Sequence, residues 1–121
     1  MYTPRFRVAC MALAWLSASL LAGSVLAQSS YPERAVRIIV PFPPGGTADA
    51  MPRIVAEKLS AKWNQPVLIE NRPGAGGNIG ADALARAEPD GYTLMSSPLG
   101  PVAANQFLFK KLSYDPTTFV P

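Results

Sequence analysis

Short apolar runs alternate with amphipathic segments along the 121-residue chain, and this alternation predicts its secondary structure. Ala35–Val40 is a β-branched run between two prolines, which indicates a buried strand. Gln65–Glu70 and Tyr92–Ser96 are two further runs of strand length. The pattern therefore predicts three strands.

Apolar residues at helical spacing separate these strands. The segment Asp49–Trp63 predicts an amphipathic helix, with an apolar face made of Met51, Ile54, Val55, Leu59 and Trp63. We expect Asp49 to cap this helix and Pro52 to lie in its first turn, where a missing N–H loses no hydrogen bond. Asn78–Ala87 predicts a second helix, whose narrow apolar face is Ile79, Ala83, Leu84 and Ala87. Val102–Phe109 predicts a short third one.

Along the chain, a strand, a loop and a helix follow one another twice, and a third strand with its own loop comes next. Helices between strands provide the crossovers that parallel strands need, so we predict an α/β fold with a parallel βαβαβ sheet. Right-handed crossovers place all three loops at the carboxyl ends of the strands. Open α/β sheets bind their ligands at that edge.

Two of these loops are rich in proline and glycine and lead directly into a helix: Phe42–Asp49 and Asn71–Gly77. Such a turn directs unpaired backbone N–H groups and the positive end of the helix dipole to one point, which favours an anion. The first loop contains no Lys or Arg, which favours carboxylates over phosphates. The alternative is that tight turns between strand and helix simply need these residues.

Several side chains near these loops have both a binding and a structural interpretation. Asp49 either binds a ligand or caps its helix. Ser96, Ser97 and Asn78 either donate to a ligand or complete turns. Phe42 either forms an apolar wall of the pocket or belongs to the core.

Composition excludes several kinds of site. The chain has no His and one Cys, so it lacks the imidazole bases of hydrolytic triads, histidine metal ligands and an intrachain disulfide. We therefore predict no metal site. Its eleven Lys and Arg against eight Asp and Glu are scattered and form no basic stripe, so nucleic acid is not an expected partner.

The N-terminal residues have the pattern of an export signal. Arg5 and Arg7 precede fifteen uncharged residues, Val8–Ala22, and small residues follow up to Ala27. This predicts a signal peptide over residues 1–27 with cleavage after Ala27, since an anchor that crosses the membrane usually needs about 20 apolar residues. Cleavage would also remove Cys10. Residues 28–121 then form the mature domain.

The glycines at Gly74, Gly76 and Gly80 resemble part of a dinucleotide-binding fingerprint. That fingerprint usually follows the first strand and is followed by an acidic residue about 20 positions on, whereas these glycines follow the second predicted strand. A fragment of an NADP-dependent enzyme is therefore an alternative. An exported interaction fragment with no ligand is another.

Three stretches resemble one family: VRIIVPFPPGGTAD at Val36–Asp49, QPVLIENRPGAGGNIGADALARAEPDGYTLM at Gln65–Met95, and YDP at Tyr114–Pro116. They are similar to the periplasmic substrate-binding proteins of tripartite tricarboxylate transporters, the Bug-type receptors. The chain departs from the family pattern at Pro52 and at Ser96-Ser97-Pro98.

The resemblance implies a two-lobed Venus-flytrap receptor that captures small carboxylates and delivers them to a membrane permease. It implies no catalysis and no cofactor. The chain resembles only the first third of such a receptor. We therefore expect it to form part of lobe 1, which supplies one side of the binding cleft. The contacts carried over from the family, largely through main-chain groups, fall on Gly45, Gly46, Thr47, Ala75, Gly76, Gly77 and Asn78.

Overall fold

The computed structural model describes residues 31–121. The predicted signal peptide, its cleavage site and Cys10 lie outside the described residues. The strands are β1 (Val36–Val40), β2 (Val67–Asn71) and β3 (Thr93–Met95), and the helices are α1 (Thr47–Trp63), α2 (Asn78–Ala85) and α3 (Asn105–Leu108). Three short helical turns complete the fold: 3₁₀ turns at Ala75–Gly77 and Pro116–Thr118, and a π-helical turn at Gly100–Ala104.

The three strands form one parallel sheet in the order β2-β1-β3. In its register Ile38 pairs with Ile69 on one side and with Leu94 on the other. The predicted α/β class and the parallel sheet are confirmed. Because the strands are parallel, the loops that follow them leave from the same edge.

The main core lies between α1 and one face of the sheet. Val36, Ile38, Ala56 and Val67 are buried there, and Leu59, Trp63, Ile69 and Tyr92 pack around them. Ile39 points to the opposite face of the sheet and is 1% exposed. Helix α2 packs against β1 and β3. The central strand is thus covered on both sides, which is typical of a parallel sheet.

Helix α1 buries only part of the predicted apolar face: Leu59 and Trp63 pack against the core, whereas the predicted residues nearer its N-terminus do not. Met51, Ile54 and Val55 are 64%, 58% and 48% exposed, whereas Asp49, Pro52 and Ala56 are buried. Both sets follow helical spacing, but at about 3.6 residues per turn their centres lie about 140° apart around the helix. The small side chain of Ala56 lets the helix approach the sheet, and the carboxylate of Asp49 finds donors on the buried side.

The start of α1 also differs from the prediction. Gly46, not Asp49, is the N-cap residue, because the Gly46 carbonyl accepts the amides of Asp49 and Ala50 at 3.0 and 2.9 Å. Pro52 consequently lies in the second turn, where its missing N–H leaves the carbonyl of Ala48 without its usual partner in the helix. The expected place of Pro52 in the first turn is therefore wrong.

Helix α2 is shorter than predicted and buries small residues. It ends at Ala85 instead of Ala87, and it buries Gly80 and Ala81 while Ile79 is 52% exposed. Within residues 31–121, no helix combines the length and the apolar character needed to cross a membrane.

The buried face of β1 and the exposed side of α1 lead to a stability prediction. Ile38→Ala removes a buried side chain and should lower the free energy of unfolding by about 2–5 kcal/mol. Ile54→Ala, the same change at an exposed position, should alter it by less than about 0.5 kcal/mol. Urea denaturation followed by circular dichroism measures both, and equal losses would contradict the observed orientation of α1.

Candidate functional site

The three loops at the carboxyl edge of the sheet contact one another. A Cβ placed on Gly77 would lie 3.4 Å from Cζ of Phe42 and 2.4 Å from Cγ of Pro101, so the second loop packs between residues of the first and third. Arg72 N–H donates to the Val40 carbonyl at 2.8 Å and continues the β1–β2 ladder into the loops. The predicted meeting of the loops at one edge is confirmed.

A buried carboxylate organises the first loop. One oxygen of Asp49, Oδ2, accepts the Gly45 amide at 2.9 Å and Nε of Arg53 at 2.8 Å. The other, Oδ1, accepts Nδ2 of Asn71 at 2.8 Å. Asn71 also donates to the Phe42 carbonyl at 3.0 Å. Asp49 therefore joins the loop, the first turns of α1 and the end of β2.

These hydrogen bonds favour the charged form of Asp49. The donors Arg53, Asn71 and the Gly45 amide hold the pKa of Asp49 well below its ordinary value, and the hydrogen bond to Asp49 raises the pKa of Arg53. The carboxylate is thus ionised at neutral pH and balanced by an adjacent guanidinium. It adds little net negative charge to the loop.

Three amides at the start of α1 have no acceptor among the described residues: those of Gly46, Thr47 and Ala48. Gly46 and Thr47 are exposed and Ala48 is half-buried. Gly45 is also exposed, but its amide already donates to Asp49. The first loop therefore presents a cluster of N–H groups at the positive end of a 17-residue helix.

The second loop has an unusual backbone. Gly74, Ala75, Gly76 and Gly77 all have positive φ, at 129°, 50°, 64° and 92°. Ala75 is the uncommon member, because a side chain disfavours the left-handed region. The amide of Gly77 donates to Gly74 and that of Asn78 to Ala75, whereas no acceptor within residues 31–121 is recorded for the amides of Ala75 and Gly76. Both of these residues are exposed.

A buried polar network, missed by the sequence analysis, holds the second loop. Nδ2 of Asn105 donates to the Gly76 carbonyl at 3.1 Å and to Oδ1 of Asn78. The hydroxyl of Tyr114 lies 3.0 Å from Oδ1 of Asn78 and donates to the Pro101 carbonyl at 2.7 Å. Burial raises the pKa of this hydroxyl. The sequence analysis singled out Asn78 as a candidate site residue and Tyr114 as part of the YDP stretch, but it gave no signal for Asn105.

The serines of the third loop have local roles in this structure. The Ser96 amide donates to the Ile39 carbonyl at 2.9 Å, which extends the β1–β3 ladder by one bond. The Ser97 hydroxyl donates to the adjacent Pro98 carbonyl at 2.9 Å. Both residues are partly exposed, and Phe42 is half-buried against Gly77.

Packing accounts for two of the three glycines that resemble a dinucleotide fingerprint. A Cβ on Gly80 would lie 2.6 Å from Cβ of Pro41, and one on Gly74 would lie 2.5 Å from Cδ1 of Ile79. These glycines let α2 and the loop approach their neighbours. Among residues 31–121 no group of three or more acidic, His or Cys side chains is arranged to hold a metal ion.

Comparison with known proteins identifies the family of the chain. The sequence model of one protein family, the tripartite tricarboxylate transporter family receptor, matches residues 51–120. The chain belongs to this family. The resemblance given by the loop sequences is thereby confirmed, and the nucleotide-binding alternative is not favoured.

Curated relatives in the family are longer than the matched segment of this chain. It is 48% identical over 86 residues to protein BugT of Bordetella pertussis, an alignment that covers 70% of this chain and 26% of BugT. It is 44% identical over 101 residues to a UPF0065 protein of Agrobacterium vitis, covering 84% of this chain and 29% of that protein. The chain thus spans between a quarter and a third of the length of these relatives.

Solved structures show the same fold. A Rhodopseudomonas palustris protein, MatC with bound malate, is 42% identical with a TM-score of 0.67, over 71% of this chain and 29% of that one. The R. palustris protein Rpa4515 with adipate is 40% identical with a TM-score of 0.70, over 73% of this chain and 29% of that one. The described residues therefore have the fold of part of a periplasmic-binding-protein lobe.

The lowered pKa of Asp49 predicts a pH dependence of stability. A carboxylate whose pKa is lower in the folded than in the unfolded chain stabilises the fold fully above about pH 4, and this contribution is lost as the pH falls through the lowered pKa. Asp49→Asn should therefore be less stable than the unchanged chain at pH 7, with a difference that shrinks toward pH 2. Urea denaturation at several pH values measures this difference.

The matched control for that series is Glu57→Gln, which removes one negative charge from an exposed position of the same helix. A stability difference for Asp49→Asn that stays constant from pH 7 to pH 2 would show that the charge of Asp49 contributes nothing.

The contact of Gly77 with Pro101 predicts a second stability effect. Gly77→Ala introduces a side chain at φ +92° and at 2.4 Å from Pro101, and should cost more than about 2 kcal/mol. Gly46→Ala, at φ −85° with open space around its Cβ, should cost less than about 1 kcal/mol. Similar losses in thermal or urea denaturation would contradict the close packing of the loops.

Proposed function

We propose that this chain supplies the first-lobe half of the carboxylate-binding site of a periplasmic receptor. The amides of Gly46, Thr47 and Ala48 in the first loop and of Ala75 and Gly76 in the second would donate to one carboxylate, directly or through water. The observation that carries this proposal is that two adjoining, exposed loops at the same edge of the sheet contain amides with no acceptor among residues 31–121.

The charges around these loops support a carboxylate ligand. Backbone N–H groups and a helix dipole stabilise one negative charge without a basic side chain. The negative charge nearest the first loop, Asp49, is paired with Arg53 and so repels an incoming anion weakly. The relatives described with adipate and with malate carry ligands of this chemical class.

The predicted site residues take two roles in this proposal. Gly46, Thr47, Ala75 and Gly76 contact the ligand. Gly45, Asp49, Gly77 and Asn78 position the loops, because their polar groups are already bonded within the chain. Phe42, Ser96 and Ser97 remain predicted as the wall and rim of the pocket.

The remainder of the function is proposed from the family. A receptor of this kind is exported, works in the periplasm, closes a second lobe over its ligand and delivers the ligand to a membrane permease. It performs no catalysis and holds no cofactor. Since the chain spans between a quarter and a third of its relatives, it would contribute one side of the cleft, and its own affinity would be weak.

Removal of a single amide tests the binding proposal. Thr47→Pro deletes one N–H at the first position of α1, where proline is well tolerated, and Gly46 already has the extended backbone that precedes proline. We expect affinity for malate or adipate, measured by isothermal titration calorimetry, to fall about tenfold, which is the effect of one hydrogen bond to a charged group.

Thr47→Ala keeps the backbone amide and measures how much the Thr47 hydroxyl contributes to the affinity. Circular dichroism of both variants checks that α1 is retained. If Thr47→Pro binds as tightly as Thr47→Ala, the amides do not bind the ligand. If the unchanged chain binds no carboxylate at all, an interaction fragment without a ligand becomes the better account.

A further inference from the structure

A groove adjoins the second loop, because Ala75 is part of its lining. The lining also includes residues of α2, among them Ile79, and residues of the segment Phe109–Ser113. Its volume is about 390 Å³. Sites for small molecules usually enclose about 300–1,000 Å³, so the groove has room for a ligand of several carbon atoms.

Three large side chains in the lining of this groove are apolar. Ile79 and Phe109 are 52% and 40% exposed, and Leu112 lies beside them. The Phe109 ring also reaches the second loop, since a Cβ on Gly76 would lie 3.4 Å from its Cζ. A hydrocarbon chain that left the loop amides would therefore meet an apolar surface at once.

The charges in the groove favour an anion. Asp82 lines the groove, but its carboxylate accepts Nε and Nη2 of Arg86 at 2.9 and 3.1 Å, so its charge is balanced. Lys111 lines the groove as well and forms no ion pair with any acidic residue in the described range. Its ammonium group is therefore available to a ligand.

A second groove lies at the amino end of the strands, and both basic side chains in its lining are already paired. Arg34 and Arg37 line it, but Arg34 pairs with Asp90 and Arg37 pairs with Glu70. A ligand there would have to displace existing ion pairs.

We propose that the groove beside α2 binds the chain and the second carboxylate of a linear dicarboxylate, with Lys111 as the residue that distinguishes dicarboxylates from monocarboxylates. This inference rests on the proposed function, because the first carboxylate occupies the loop amides. The methylene groups then lie on Ile79, Phe109 and Leu112, and the second carboxylate pairs with Lys111.

The test compares two acids with the same number of carbon atoms, adipate with two carboxylates and hexanoate with one. Isothermal titration calorimetry is performed on the unchanged chain, on Lys111→Met and on Lys110→Met, the control that removes the same charge from the neighbouring position outside the groove. We expect the unchanged chain and Lys110→Met to bind adipate about tenfold more tightly than hexanoate, and Lys111→Met to lose this preference.

A second measurement detects the contact between Lys111 and the dicarboxylate directly. Adipate should protect Lys111, but not Lys110, from an amine-acylating reagent, as resolved by tandem mass spectrometry, and hexanoate should protect neither. A preference for adipate that survives Lys111→Met, or no preference in the unchanged chain, overturns the inference and leaves the loop site intact. Absence of binding for both acids overturns the proposed function together with it.

Discussion

The buried carboxylate of Asp49 is the interaction on which the candidate site depends. It connects the backbone of Gly45, the guanidinium of Arg53 and the amide of Asn71, three groups from a loop, a helix and the end of a strand. A buried charge is tolerated only when it is paired and hydrogen-bonded, so these partners and the carboxylate need one another. By accepting the Gly45 amide, Asp49 fixes the path of the loop ahead of the amides of Gly46, Thr47 and Ala48.

The conformation of the second loop is held by neutral groups and not by a carboxylate. Four successive residues with positive φ leave the amides of Ala75 and Gly76 exposed, and the carbonyl of Gly76 is held by Asn105. Glycine adopts positive φ readily, so the conformational cost falls on Ala75, which needs stabilising surroundings. Here the stabilising residues come from beyond β3, at Asn105 and Tyr114, which links the C-terminal segment to the geometry of the loop.

The sequence predicted the features that depend on local patterns. The three strands, their parallel order and the position of the loops follow from short apolar runs that alternate with helical ones. The buried face of α1 could not be found in this way, because Met51, Ile54 and Val55 form as good an apolar stripe as the buried set does. The choice depends on Asn71, 22 positions beyond Asp49 in the sequence, which supplies the donor that a buried carboxylate requires. The network of Asn78, Asn105 and Tyr114 is equally non-local.

The central claim is that amides in two loops bind a carboxylate, and amide chemical shifts test it most directly. In ¹⁵N–¹H correlation spectra of the labelled chain titrated with malate, the account predicts saturable shifts at Gly46, Thr47, Ala48, Ala75 and Gly76, with smaller ones at the already bonded amides of Gly45 and Gly77. Saturable shifts confined to residues away from both loops would contradict it.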